Sequence, residues 1–264
     1  MRDPIRVIDG NAKPHERFWA IRDQSEENGG EVEIEFFGVI SEYSWWGDEV
    51  TPELLKNDLK EKAAGRPVTL LVNSPGGEVI AASVIRTILQ EYSGKVTADI
   101  VGLAASAATV MVTGADHIRM RESALFMIHD PSGLAYGNID EIKAFITLMT
   151  TVKDGIIDTY ETKTGMDRDK LAKMMSNETW MTAREAKDFG FIDEVVTSSI
   201  KKVQPSAYSA GFANCLNSYM HVPESLKNLM SAPVNLNPVT PVRIEPSDEE
   251  RRLRSKVQLL KGAK

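Results

Sequence analysis

The chain has 264 residues, 42% of them hydrophobic, with a formal net charge of −7 and a pI near 5.3. This length and apolar content suffice for a sizeable core, and the acidic balance excludes a general nucleic-acid-binding protein, which needs clustered Lys and Arg. A single cysteine, Cys215, and the lack of any run near the ~18 apolar residues of a membrane span predict a soluble protein of a reducing cytoplasm.

The first predicted elements follow a polar lead-in. Residues 1–30 are interrupted by prolines and a Gly-Gly turn, so we expect an N-terminal arm. Residues 32–40 alternate apolar and charged side chains, which predicts a half-buried strand. Thr51 followed by Pro52 predicts a helix N-terminus, and this helix ends at the Gly-Arg-Pro break of residues 65–67.

Strands and helices then alternate, which predicts an α/β fold with a sheet buried between helices. Capping-box spacing, Asn138 with Glu141 and Thr182 with Glu185, places helix starts at residues 139 and 183. The predicted strands are 68–72, 95–101, 117–120, 124–128 and 191–196, and the predicted helices include 78–92, 105–113 and 139–163.

The composition changes beyond Thr197, where proline becomes frequent. Proline sustains neither a helix nor a central strand, so we predict a Pro-rich linker and C-terminal tail, with a short charged helix from Ser247 to Leu260. The expected organisation is therefore an arm over 1–30, a globular domain over 31–197 and the linker and tail over 198–264. Six prolines lie in this last part: Pro205, Pro223, Pro233, Pro238, Pro241 and Pro246.

Three motifs carry candidate chemistry. Ser106 stands among small residues in the segment 102–108, and His129 follows an apolar run within the Met-Ile-His-Asp-Pro segment 127–131. A serine hydroxyl attacks a carbonyl only where a base takes its proton, although small residues around a serine also mark tight helix packing. A buried strand over 68–72 leads into Asn-Ser-Pro-Gly-Gly at 73–77, a turn that can direct backbone N–H groups at an oxyanion.

In this order the three motifs resemble those of the ClpP family of serine peptidases, and the resemblance extends from Glu33 to Val196. The segments 43–47 and 178–183 further resemble the ClpP-related head maturation proteases of tailed phages. The resemblance implies a ClpP/crotonase-type spiral of ββα units, in which the helix 139–163 is a projecting handle helix. It also implies that Ser106 is the nucleophile, that His129 is the general base and that the N–H groups of Gly77 and Ala107 form the oxyanion hole.

The third catalytic residue departs from the family pattern. Alignment puts Met174 where the family keeps an aspartate, and a methionine cannot orient an imidazole. Asp130 would point away from its neighbour His129 on an extended strand. Glu178 leads the remaining candidates because a carboxylate fixes the histidine tautomer and stabilises the imidazolium, and a Ser-His dyad stays open. The candidates for this position are Glu178, Asn177 and Asp169.

The resemblance predicts a serine endopeptidase that processes phage head or scaffold proteins during capsid maturation. It would act in the bacterial cytoplasm or within a prohead, as a homo-oligomeric ring or double ring, on a protein or peptide substrate, with an unfoldase as a further partner. No Walker phosphate loop and no Cys/His metal spacing occur, so neither a cofactor nor a metal is expected, and neither is a nucleic-acid or membrane partner. The alternatives are a catalytically weak or inactive ClpP-like assembly protein and a crotonase-type acyl-CoA enzyme.

Overall fold

A computed structural model describes residues 19–23, 30–43, 49–197, 210–224 and 226–227. The charged helix predicted from Ser247 to Leu260 lies outside the described residues, and so do Trp45 and Trp46. Within the described ranges, no helix combines the length and the apolar character needed to cross a membrane.

A mixed sheet forms the centre of the fold, with the order β1-β2-β3-β4-β5-β8. Strands β2, β3, β4, β5 and β8 are parallel neighbours, whereas β1 pairs antiparallel with β2 at the edge. The strands are β1 (Trp19–Asp23), β2 (Val32–Ile40), β3 (Val68–Gly77), β4 (Val96–Ala105), β5 (His117–Arg121), β6 (Leu125–Ile128), β7 (Thr179–Thr182) and β8 (Glu194–Val196).

Strand β4 changes partner along its length. Its first half, Thr97 to Ile100, pairs with β5, and its last residues, Leu103 to Ala105, pair with β6. Strand β6 in turn pairs antiparallel with β7. The C-terminal ends of β3, β4 and β6 therefore come together at one edge of the fold.

Helices follow most of the strands, and their predicted caps are confirmed. Thr51 caps the first helix, and Asn138 and Thr182 both form capping boxes. The helices are α1 (Pro52–Asp58), which continues into a π-helical turn (Leu59–Ala63), α2 (Val79–Glu91), α3 (Ala107–Val112), α4 (Ile139–Thr164), α5 (Arg168–Ser176), α6 (Ala183–Asp188) and α7 (Ala210–Asn217).

Helix α4 has two different halves. Its C-terminal half packs on the core through Ile156, Ile157 and Tyr160, which are all buried. Its N-terminal half extends away from the core, so that even Ile139 and Ile146 are 72% and 59% exposed. This arrangement agrees with the projecting handle helix that we predict.

Four elements are absent from the expectations: α5 and β7, which lie between two predicted helices, and β1 and α7, which lie in the predicted arm and tail. Strand β1 lies within the predicted arm, where its backbone pairs with β2. Helix α7 lies within residues 198–264, for which no helix was predicted before Ser247. Eight residues are too few for a stable isolated helix, so α7 depends on tertiary packing. It packs through Phe212 and Leu216, which are buried against Leu103 of β4 and other apolar side chains.

Candidate active site

Ser106 lies at the junction between β4 and α3 in a strained backbone conformation, with φ 54° and ψ −125°. Its N–H donates to Met127 O over 2.9 Å, and its carbonyl accepts from the Thr109 N–H over 2.9 Å. The Thr109 hydroxyl donates to the same carbonyl, and the buried Tyr160 hydroxyl of α4 lies 2.6 Å from the Thr109 hydroxyl. These contacts hold Ser106 in a conformation that few non-glycine residues adopt.

His129 follows β6 directly, and the pairing of β4 with β6 brings it to the serine. Ala105 and Met127 are register partners, so the residues after them lie side by side. His129 Nε2 is 2.8 Å from Ser106 Oγ. Burial lowers the pKa of His129, against the opposing influence of the nearby Glu178 and Asp130 carboxylates. The imidazole is therefore neutral near pH 7 and can accept a proton.

The two glycines after Pro75 bring a backbone turn against the serine. Gly76 has φ +100°, and a Cβ there would lie 2.8 Å from Ser106 Cβ and 3.0 Å from Ala107 N. Gly77 has φ +141°, and a Cβ there would lie 2.1 Å from the Ile40 carbonyl oxygen. Ala107 begins α3, so its N–H has no intrahelical partner. The structure thus places this turn next to Ser106 and the Ala107 amide.

Glu178 is 5% exposed and is bound by three N–H donors. The Met220 N–H donates to Oε2 over 2.7 Å, and the His221 N–H and the Trp180 indole donate to Oε1 over 2.5 Å and 3.1 Å. Burial opposes ionisation, but these donors outweigh it and, with nearby His129, hold the pKa of Glu178 below its usual value. Among the described residues, no hydrogen bond joins Glu178 to His129, and their interaction is electrostatic.

The other candidates for the third catalytic position are exposed, and among the described residues no hydrogen bond joins either of them to His129. Asn177 is exposed at the C-cap of α5. Asp169 is exposed in the first turn of α5, about 10 Å along the helix from its end. Asp130 pairs with Lys153 Nζ over 2.8 Å. In the described part of the chain, no group of three or more His, Cys, Asp or Glu residues is arranged to hold a metal ion.

The profile of the Clp protease family matches residues 46–199, which is more than half of the chain. The chain belongs to the Clp protease family. Its relatives include ATP-dependent Clp protease proteolytic subunit 1 of Chlamydia abortus, 34% identical over 138 residues that cover 51% of this chain and 72% of the relative. Proteolytic subunit 2 of Thermobifida fusca is 33% identical over 138 residues, covering 51% of this chain and 67% of the relative.

The fold agrees with this membership. A ClpP1 point mutant from Listeria monocytogenes superimposes with a TM-score of 0.55 at 22% identity, covering 63% of this chain and 91% of that chain. The chain therefore has the ClpP-type α/β fold that the three sequence motifs imply.

Tyr219, which lies beyond the residues of the family match, is an aromatic residue of this site that the sequence did not predict. Tyr219 is buried, and its hydroxyl donates to the Pro75 carbonyl over 2.5 Å. Its ring lies edge-on to the ring of His129, with centroids 4.9 Å apart, and also contacts Trp180. Burial raises the pKa of Tyr219, so its hydroxyl stays protonated. A tyrosine in a proline-rich segment carries no sequence signal for this position.

Cys215 lies close to the same turn. Its thiol is 3.7 Å from the Pro75 carbonyl oxygen and 3.5 Å from the Tyr219 hydroxyl. Burial raises the pKa of the Cys215 thiol, which keeps it protonated and a poor nucleophile. Ser106 Oγ lies 2.8 Å from His129 Nε2, whereas the hydrogen-bond partners of the Cys215 thiol are a backbone carbonyl and a phenol.

Proposed function

We propose that the chain is a serine endopeptidase of ClpP type, in which Ser106 is the nucleophile and His129 the general base. The observation that carries this proposal is the 2.8 Å separation of His129 Nε2 and Ser106 Oγ. A proton passes between two groups at this distance without rearrangement. Membership of the Clp protease family supports the same assignment, since the relatives are named proteolytic subunits.

The proposed reaction proceeds in two halves. Ser106 Oγ attacks the peptide carbonyl carbon while its proton moves to His129 Nε2, and the carbonyl oxygen becomes an oxyanion. The N–H groups of Gly77 and Ala107 stabilise this oxyanion, and each such donor contributes on the order of 10²–10³ in rate. The imidazolium then protonates the leaving amine, and water, activated by His129, releases the acyl group from Ser106.

Glu178 is the proposed third member of this set. Its three N–H donors favour the ionised carboxylate, and an ionised carboxylate near His129 stabilises the imidazolium that forms during attack. Asn177 and Asp169 are weaker candidates because both are exposed.

The assembly, the partner and the substrates of this peptidase are also proposals. The exposed apolar side chains of α4 support assembly into a ring or double ring, since a partner would remove them from water. The C. abortus and T. fusca relatives are named subunits of an ATP-dependent protease, which supports an unfoldase partner. The resemblance of segments 43–47 and 178–183 to phage head maturation proteases supports capsid or scaffold proteins as substrates.

One observation favours the alternative, a ClpP-like assembly protein with little or no activity. The lone pairs of Glu178 are directed to Trp180 and to the backbone of Met220 and His221 instead of to His129. An imidazole without a hydrogen-bonded acceptor is a poorly oriented base.

Active-site labelling distinguishes these two functions. The purified chain is treated with a fluorophosphonate and its intact mass is measured, alongside Ser106→Ala and the control Ser83→Ala, which removes an exposed hydroxyl of α2. The peptidase predicts a single adduct on the wild type and on Ser83→Ala, and none on Ser106→Ala. The assembly protein predicts no adduct on any of the three.

A further inference from the structure

Residues 210–227, described apart from residue 225 and called here the cover segment, lie beyond the end of the family match at residue 199. They pack on the strand ends that carry the proposed catalytic pair: Leu103 and Ala105 of β4, and Met127 of β6. The buried apolar side chains of the cover segment are Phe212, Leu216, Tyr219, Val222 and Leu226.

Tyr219 is the residue of the cover segment that reaches the reacting groups. Its hydroxyl donates to Pro75 O, one residue before the glycine turn, and its ring lies edge-on to the ring of His129, with centroids 4.9 Å apart. Tyr219 therefore contacts both the residue before that turn and the proposed base, whose Nε2 lies 2.8 Å from Ser106 Oγ. A scissile carbonyl group must enter the same space to meet both the nucleophile and the oxyanion donors.

The backbone next to Tyr219 binds the third proposed catalytic residue. The amides of Met220 and His221 both donate to Glu178. A carboxylate has about four lone-pair positions, so these two donors and Trp180 occupy three of them. Removing the cover segment would free two positions on a carboxylate that already interacts electrostatically with His129.

We propose that the cover segment is a self-inhibitory occupant of the substrate surface, in which Tyr219 blocks the approach to Ser106 and the following amides draw Glu178 away from His129. This inference rests on the proposed peptidase function. Release of the segment has two effects at once, since it opens the space beside Ser106 and lets Glu178 accept from His129 Nδ1. Because the cover segment belongs to the same chain, its effective concentration at the site is high, and a substrate peptide must compete with it.

The segment is suited to release. Helix α7 has only eight residues and depends on its contacts with the domain, so detaching it leaves the central sheet intact. Its contacts with the domain include the apolar side chains named above and the hydrogen bond from the Tyr219 hydroxyl to Pro75 O. They also include the two hydrogen bonds that the backbone N–H groups of Met220 and His221 donate to Glu178.

Labelling kinetics of full-length variants test this inference. We compare the rate of fluorophosphonate modification of the wild type with Tyr219→Phe, which keeps the ring, and Tyr219→Ala, which removes it. Asn214→Ala, an exposed change in α7, is the control. We expect Tyr219→Phe to react about 2- to 10-fold faster than the wild type, the equivalent of one net hydrogen bond. Tyr219→Ala should react faster still, and Asn214→Ala should match the wild type.

Three other outcomes are decisive. Equal rates in all four proteins overturn self-inhibition and leave the peptidase function standing. Slower labelling of both Tyr219 variants also overturns it, and shows instead that the segment supports catalysis. No adduct on any protein, with native circular dichroism throughout, refutes the peptidase function and the inference together. Tyr219→Phe keeps the test valid if Tyr219→Ala fails to fold.

Discussion

Ser106 is the only described residue at the candidate site that combines positive φ with a side chain able to attack a carbonyl. The conformation costs on the order of 1–3 kcal/mol, and it persists because three hydrogen bonds with two neighbours hold the residue on both sides. Its N–H is bound by Met127, and its carbonyl by the backbone and hydroxyl of Thr109. A strained serine fixed in this way keeps its hydroxyl at the edge of the sheet, where His129 meets it.

The protonation of His129 sets the pH dependence of labelling. The base must be neutral to accept a proton, so the rate should rise with pH through the pKa of His129. Burial lowers this pKa, and we therefore expect the inflection below the ordinary value of 6.5. A rate profile between pH 4.5 and pH 8 locates it.

Glu178 should affect the pH at which this inflection occurs. Its charge raises the pKa of His129, so Glu178→Gln should move the inflection to lower pH, whereas Asp169→Asn should leave it unchanged. An unmoved inflection in Glu178→Gln, or a shift in Asp169→Asn, would contradict the proposed role of Glu178.

Two glycines give a matched test of backbone geometry. A Cβ on Gly76 would approach Ala105 O to 2.7 Å at φ +100°, whereas a Cβ on Gly155 in α4 would meet nothing within 4 Å. Gly76→Ala should lower the free energy of unfolding by about 1–3 kcal/mol and abolish labelling. Gly155→Ala should raise that free energy by about 0.5–1 kcal/mol and leave labelling intact. Urea denaturation and intact mass measure both effects.

At the level of elements, the change of partner along β4 creates the site. The second half of the strand leaves β5 and pairs with β6, which brings the residue after β6 beside the residue after β4. Helix α7 then packs on this second half. The proposed catalytic pair thus follows strands of the central sheet, whereas the element that covers it is a short helix that depends on tertiary contacts.

Two leucines should reveal this difference. Leu216 of α7 and Leu70 of β3 are both fully buried. Leu70→Ala should lower the global free energy of unfolding by about 2–5 kcal/mol. Leu216→Ala should speed hydrogen exchange in α7 and change the global free energy of unfolding little, because the cover segment opens locally. A large decrease of the global free energy of unfolding in Leu216→Ala would show that the cover segment and the sheet unfold together.

At the scale of the whole molecule, the exposed half of α4 predicts association. The double variant Ile142→Asp, Ile146→Asp should form smaller assemblies than the wild type in sedimentation velocity. The control Thr147→Asp, Thr151→Asp changes exposed positions on another side of the same helix and should assemble normally. Identical sedimentation of all three proteins would refute α4 as an assembly surface.

The sequence predicted the alternating elements, their capping residues and the pair Ser106 and His129, because each leaves a local pattern in the chain. Strand β1 escaped prediction because it lies in a polar lead-in interrupted by prolines, although its partner β2 is the next strand. Helix α7 escaped prediction because it depends on partners distant in sequence. Tyr219 was missed for the same reason, as its contacts with Pro75 and His129 exist only in the folded chain. The donors on Glu178 likewise come from the cover segment, which no local pattern connects to it.

The most direct test of the central claim is the dependence of Ser106 labelling on His129. After fluorophosphonate treatment, peptide mapping locates the adduct, and the labelling rate of His129→Ala is compared with that of the wild type. We predict a single adduct on Ser106 and a rate in His129→Ala lower by at least about 10²-fold, the usual contribution of a general base. An adduct on another residue, or equal rates in the two proteins, would contradict a serine activated by this histidine.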